Sequence, residues 1–445
     1  MMRTLTGVLL ILFAALGLAG CHAHARPAGP AGAARPGAVS PGAVSPAAVS
    51  PAAPPVPSAH QAAHTTRPGN GRRQWVTSWA ASPQAAPAGV PGVGAFRDRT
   101  VRDIVFLSAG GDALRLVLTN AYGTTPLRVG EVTVGLAGAG AGVMPGGIHL
   151  VRFGGRAEVQ IPAGAQAVSD PLAMRVPALR DLAVSIYLPA RAARPTIHLD
   201  AQQHTWVSVV GDHAAATSAA AFPWASRSWF YLTGVIVFPA RASGTVVAFG
   251  DSITDGLRST FDANARWPND LARRLAARAG RTLSVADEGI SGDHLLATSP
   301  QYPGALARFG ADALDQPGVR DIIVEIGIND IRTGAASAQQ VIAGYEQLIG
   351  QAHARGLKIF GATLLPFQGT GGYTPAREAA REAVNAWIRT SGAFDGVIDF
   401  DALMRSPADP LSMRRADDSG DNLHPSDAGY RAMAAAISLP MLLSA

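Results

Sequence analysis

The sequence predicts two architectures in one chain: an antiparallel β-sandwich over residues 74–240, then an α/β arrangement over 241–445 with a parallel sheet between helical layers. Three observations carry this. In the first stretch, short apolar runs alternate with period two between Gly- and Pro-rich breaks. After Gly244, short and almost wholly apolar runs alternate with helical stretches, which is the rhythm of a parallel sheet. Four short polar segments follow those apolar runs or open the helices, at the sheet edge where such folds bind ligands.

Before residue 74 the chain carries no fold signal. Arg3 precedes an apolar run from Leu5 to Ala19 that ends at Gly20-Cys21. A charged start, apolar centre and small-residue end read as an export signal. The run is too short for a confident membrane span. Leu18-Ala19-Gly20-Cys21 also resembles a bacterial lipobox, which implies residues 1–21 as a signal peptide and Cys21, the single cysteine, as a lipidation site. An ordinary signal peptide or a retained anchor is the alternative. Residues 22–73 are mostly Pro, Ala, Gly and Ser with a five-residue unit, Pro36-Gly37-Ala38-Val39-Ser40, recurring at 41–45 and nearly at 46–50. Such a stretch favours extended backbone and has few large side chains to form a core, so it reads as a disordered tether.

Order begins near Gln74-Trp75-Val76-Thr77. In Ala113-Leu114-Arg115-Leu116-Val117-Leu118-Thr119 the leucines share one strand face, and Gly110-Gly111-Asp112 and Asn120-Ala121-Tyr122-Gly123 supply turns on either side. Further strands are expected at 131–136, 149–153, 157–161, 182–188, 206–210 and 230–238. Many short strands with Gly/Pro punctuation suggest a sandwich, jelly-roll-like in character. Trp224 and Trp229 read as packing residues, with a sugar-binding platform as the alternative.

In the second part, strands are expected at 245–249, 284–286, 321–326, 359–365 and 396–400. Helices are expected at 271–279, 305–314, 338–355, 375–390 and 426–436, the first opened by Pro268 with Asp270 in its first turn.

The four polar segments are Gly250-Asp251-Ser252-Ile253-Thr254-Asp255-Gly256, Gly289-Ile290-Ser291-Gly292, Gly327-Ile328-Asn329-Asp330 and Asp421-Asn422-Leu423-His424. Together they hold a hydroxyl nucleophile, backbone and amide donors, and a carboxylate three residues before an imidazole. Acyl-ester hydrolysis needs those parts. In this set and order, residues 244–440 resemble the SGNH hydrolases, also called the GDSL esterases and lipases. The resemblance implies a flavodoxin-like three-layer fold and Ser252, Asp421 and His424 as catalytic residues. It implies an oxyanion hole made of the N–H groups of Ser252 and Gly289 and the side-chain amide of Asn329. Glu288 departs from the Asn that many members carry before that glycine. The roles are chemically coherent: the His424 imidazole is a base that can take the Ser252 proton, while Asp421 orients its ring. Asp251, Asp255 and Asp330 read as turn and helix-start residues, and His294 is a candidate pocket residue.

The remaining composition narrows the function. Of 445 residues 48% are hydrophobic, enough for large cores, and the formal charge of +5 carries no basic run, so nucleic acid is not an expected partner. Metal and cofactor are not expected. The expectation is a secreted, lipid-anchored, monomeric serine esterase acting on small-molecule or polysaccharide esters, with short acyl or acetyl groups favoured. The β-rich part preceding the hydrolase resembles a subgroup related to a rumen xylan-associated acylhydrolase. A cell-envelope O-acyltransferase or a lipase using the same site is the alternative.

Overall fold

Strand structure starts at the first bulky residues after the Pro/Ala-rich stretch, with Val76–Ala80. The computed structural model describes residues 74–87, 96–191, 194–299, 301 and 303–444. The expected signal peptide, Cys21 and the tether 22–73 lie outside the described residues.

The β-rich part is antiparallel. A four-stranded sheet runs in the order Val76–Ala80, Leu232–Pro239, Gly111–Thr119, Gln166–Val168. A six-stranded sheet runs Trp224–Ser226, Thr205–Val210, Arg99–Phe106, Asp181–Leu188, Glu131–Leu136, His149–Leu150. Inward residues of both, among them Leu114, Leu116, Leu118 and Val235 from one and Val101, Val105, Val132 and Val184 from the other, share one apolar core. That is a sandwich, as period-two alternation required.

The central strand Arg99–Phe106 carries no readable alternation, because two charged residues are buried in its middle. Arg102 and Asp103 are both fully buried. Arg102 donates to Ser185 Oγ at 2.8 Å and to the Ala216 carbonyl at 2.6 Å. Asp103 Oδ1 accepts from Thr205 Oγ1 at 2.7 Å and Phe230 N at 3.2 Å. These bonds offset the burial of Arg102, whereas Asp103 keeps Oδ2 without a partner among the described residues, and burial pushes its carboxyl up to about 7.

The α/β part holds a five-stranded, wholly parallel sheet in the order Thr282–Gly289, Ala242–Gly250, Val319–Glu325, Lys358–Ala362, Gly396–Ile398. Helices Trp267–Ala276, Ala338–Ala354, Pro375–Thr390 and Asp427–Ala436 lie close to their expected spans. The expected helix at 305–314 is α-helical over Ala305–Phe309 and continues as a π-helical turn over Gly310–Leu314. Register matters for function: Gly250 pairs with Gly289 on one side and Glu325 on the other, so three of the four polar segments leave the sheet at one level.

The two parts are joined by more than a linker. Ala80 packs in the core of the α/β part. Thr77 N donates to Thr245 Oγ1 at 3.1 Å, Thr77 Oγ1 to Gln316 Oε1 at 3.0 Å, and Val285 N to Ser108 Oγ at 3.0 Å. Trp229 is buried at this end of the sandwich, whereas Trp224 is 50% exposed and carries the Arg99 guanidinium 4.7 Å from its ring centre. No helix among the described residues is long and apolar enough to cross a membrane.

Candidate active site

Ser252 opens a single helical turn, Ser252–Asp255, immediately after the strand Ala242–Gly250. Asp251 caps that turn, its Oδ1 accepting from Ile253 N at 3.1 Å, and Gly256 ends it in the left-handed region at φ 80°. The strand-to-helix transition therefore puts Ser252 at the carboxyl edge of the sheet, with its N–H at a helix start where no intrahelical acceptor exists.

His424 and Asp421 come from the loop before the helix Asp427–Ala436. Ser252 Oγ lies 2.8 Å from His424 Nε2, and His424 Nδ1 lies 2.8 Å from Asp421 Oδ2. The other carboxylate oxygen accepts from His424 N at 2.8 Å and Leu423 N at 3.1 Å, made possible by Asn422 at φ 64°. Partial burial works against the Asp421 charge, but the bond from the His424 ring and the two backbone N–H groups outweigh it and hold the carboxyl well below the usual carboxylate range. Asp421 therefore stays ionised. The structure brings Ser252, His424 and Asp421 together in one hydrogen-bonded line, one that can pass the hydroxyl proton to the imidazole while the carboxylate fixes the ring.

Asn329 is the second residue of the helix Ile328–Thr333 and is buried. Its Nδ2 donates to the Asp293 carbonyl at 2.8 Å, and Arg332 Nη2 donates to its Oδ1 at 3.2 Å. One amide hydrogen is thereby fixed on the loop after Thr282–Gly289 and the second is left for another acceptor.

Gly289 does not take the expected place. It is buried inside the strand pairing opposite Gly250, and its N–H donates to Asp287 Oδ1 at 3.1 Å. It is glycine because a Cβ there would stand 2.2 Å from Asp255 N, so the close approach is to the Ser252–Asp255 turn. The exposed glycine of the same segment is Gly292. It sits at φ 84° in the turn closed by Asp293 N donating to the Ile290 carbonyl at 3.1 Å, and its N–H has no acceptor among the described residues. In sequence the two glycines stand three apart in one short segment; burial, the Asp287 bond and the close approach of Asp255 to Gly289 separate them.

The other flagged residues support the frame. Asp330 accepts from Leu295 N at 2.7 Å and Leu296 N at 3.1 Å, holding the loop that carries Asp293. His294 is half-buried, with Nε2 3.4 Å from Thr333 Oγ1, beside the Asn329 helix. Asp255 lies in the first turn of the helix Ser252–Asp255, as expected, and also bonds Ser291 and His198. Burial, with Asp293 and Asp330 adding, pushes the Asp251 carboxyl up to about 8. Sequence reasoning had no signal for Arg258, whose Nε lies 3.2 Å from Asp421 Oδ2, or for Arg332.

Residues 248–432, which span all four segments, match the family model described as GDSL-like Lipase/Acylhydrolase. No curated protein matches the chain. Among solved structures, a GDSL-like lipase from Bacteroides thetaiotaomicron is 18% identical, covering 46% of this chain and 90% of its own, with a TM-score of 0.35. A lipolytic protein of the G-D-S-L family from Veillonella parvula is 19% identical over 45% and 97%, also at 0.35. A carbohydrate acetylesterase family member from Sinorhizobium meliloti is 17% identical over 45% and 100%, at 0.37. Likenesses of this strength add nothing to the argument about activity. The family match and the sheet that carries its segments suffice: the C-terminal α/β part belongs to the GDSL-like lipase/acylhydrolase family, the SGNH hydrolases, which makes the protein a carboxylic ester hydrolase.

Proposed function

We propose that the protein is a serine esterase working through a covalent acyl-enzyme. The carrying observation is the line from Ser252 Oγ through the His424 ring to Asp421, with 2.8 Å at both junctions. Ser252 Oγ attacks the ester carbonyl carbon as its proton passes to His424 Nε2. The carbonyl oxygen becomes an oxyanion facing the N–H groups of Ser252 and Gly292 and the free amide hydrogen of Asn329, with Gly292 taking the role first given to Gly289. The tetrahedral species collapses, the alcohol leaves with the proton from His424, and the acyl group stays on Ser252. Water then repeats the sequence, its proton going to His424 and the acid leaving as Ser252 is restored.

The rim favours small, hydrophilic esters, such as acetyl groups on polysaccharide. Arg258, His294, Arg332, Thr333 and Asn422 stand around the reacting groups, and none offers an apolar wall for a long chain. Export and a lipid anchor at Cys21 belong to the same reading and rest on the sequence of residues 1–21.

The test is p-nitrophenyl ester hydrolysis by the full-length protein, from acetate to palmitate, beside Ser252→Ala. Activity that peaks at acetate and vanishes in a folded Ser252→Ala supports the reading. Turnover surviving in that variant refutes the mechanism, and a maximum at palmitate refutes the substrate class.

A further inference from the structure

Asp255 stands three residues past the nucleophile on the same helical turn and is 4% exposed in its side chain. Its Oδ2 accepts from Ser291 N at 3.0 Å and Ser291 Oγ at 2.6 Å. Ser291 is the residue before Gly292. The other carboxylate oxygen, Asp255 Oδ1, lies 3.0 Å from Nε2 of His198, which belongs to the strand Thr196–His198 of the β-rich part. His198 Nδ1 lies 3.0 Å from the Ser82 carbonyl, also in the β-rich part.

The partners on both sides of this ring are oxygens that only accept. A neutral imidazole has one N–H and one lone pair, so one of its nitrogens would face an oxygen with nothing between them. Beside an Asp255 carboxylate, only the doubly protonated ring donates to both. His198 is 4% exposed and its ring centre is 5.4 Å from that of Trp229, so bulk water does not make up the difference.

We propose that His198 is a positioning residue for the esterase site: as a double donor it holds Asp255, and Asp255 holds the Ser291–Gly292 turn whose free N–H faces the oxyanion. The inference rests on the reading of Gly292 given above. The β-rich part is thereby a working component of the active site, supplying the last link of a chain from Ser82 to the oxyanion donor.

The link has a pH dependence of fixed sign. The charged groups around the ring are Asp255 from the nucleophile turn, Asp287 from the strand Thr282–Gly289, Asp200 from its own loop, and Arg266, whose Nε donates to the Asp255 carbonyl at 2.7 Å. Burial opposes the positive charge and Arg266 adds to that, but Asp255 and the Ser82 carbonyl outweigh both, and the His198 pKa is raised. A raised histidine value means the double donor persists below that value and is lost as pH rises through it. Turnover should therefore fall on the alkaline side, where the turn loosens.

The test uses full-length protein and three variants, His198→Ala, His198→Gln and Asn329→Ala, with kcat and KM measured across pH and folding checked by circular dichroism. His198→Ala should lower kcat about 10–100-fold with little change in KM, since a misplaced donor costs transition-state and not ground-state binding. His198→Gln, which keeps one donor toward Asp255 but cannot titrate, should recover much of kcat at neutral pH and lack the alkaline fall. In ¹⁵N-histidine spectra of the parent, one ring should keep both protons after exposed histidines have lost one. Should His198→Ala not fold, the Gln variant and these spectra decide. An alkaline fall unchanged in His198→Gln, or parental kcat in folded His198→Ala, overturns the inference. With Asn329→Ala impaired, that result removes only the His198 link; with Asn329→Ala also at parental kcat, the oxyanion reading falls and takes the inference with it.

Discussion

Ser82 Oγ donates to Glu288 Oε2 at 2.6 Å, joining the sandwich to the end of the strand that precedes the Ser291–Gly292 turn. Glu288 is where this chain departs from the Asn of many SGNH hydrolases, and the junction gives the departure a physical reason. Its other oxygen accepts from Gln316 Nε2 at 2.7 Å, and Arg308 Nη1 reaches both Ser82 Oγ at 2.9 Å and the Glu288 carbonyl at 2.8 Å. All four residues are buried. Glu288→Ala should cost about 2–4 kcal/mol, because the partners stay buried with their groups unmet. Ser82→Ala should cost about 1 kcal/mol. Urea unfolding of the full-length protein measures both; equal midpoints for Glu288→Ala and parent would refute the junction's role.

Gly289→Ala tests the correction of the oxyanion donor. The new Cβ would meet backbone atoms of Asp255 at 2.2 and 2.7 Å, and backbone cannot swing aside as a flexible side chain can. The expected outcome is a drop in melting temperature worth about 1–3 kcal/mol, with activity lost in step with folding. A variant of parental stability and much lower kcat would instead return Gly289 to the oxyanion hole.

Asp421→Asn keeps the shape of the relay and removes its charge. The amide can present an N–H to His424 Nδ1, which puts the ring proton on Nε2, facing Ser252 Oγ, where a lone pair is needed. We expect kcat to fall on the order of 10²–10⁴-fold with KM nearly unchanged. The parent carboxylate, held below its ordinary range, contributes stability present above that range and lost as pH falls through its folded value. The stability gap between Asp421→Asn and parent should therefore close in acid; a gap constant from neutral to acid pH would contradict this.

What could be read from sequence follows from distance along the chain. Asp421 and His424 stand three apart, and a carboxylate and imidazole at that spacing on a turn have few other reasons to be together. Ser252 was legible because an apolar strand aims it. The choice between Gly289 and Gly292 was not, since it depends on which N–H the Asp287 side chain takes. Strand Arg99–Phe106 was hidden by Arg102 and Asp103, which are buried and bonded to partners more than 30 residues away. The His198–Asp255 contact joins residues 57 apart across two architectures, and no local pattern marks it.

The ground beneath the nucleophile should make the protein less stable as pH rises. Glu325 is fully buried at the end of its strand, with Thr254 Oγ1 3.4 Å from Oε2 and no partner for Oε1 among the described residues. Burial, then the neighbouring Asp251 carboxyl, push its pKa well above the ordinary glutamate value. In the unfolded chain Glu325 loses its proton first as pH rises, so the unfolded state binds fewer protons and stability declines between the ordinary and the raised value. Asp251, at about 8, adds a decline of the same sign. Glu325→Gln keeps a neutral polar group of the same size and cannot ionise. Its melting temperature should match the parent in mild acid and exceed it in mild alkali, and thermal melts at about pH 5 and about pH 9 measure the difference. A parent as stable as the variant at the higher pH would show that Glu325 is ionised in the folded protein and stabilised by a partner the hydrogen-bond pattern does not contain.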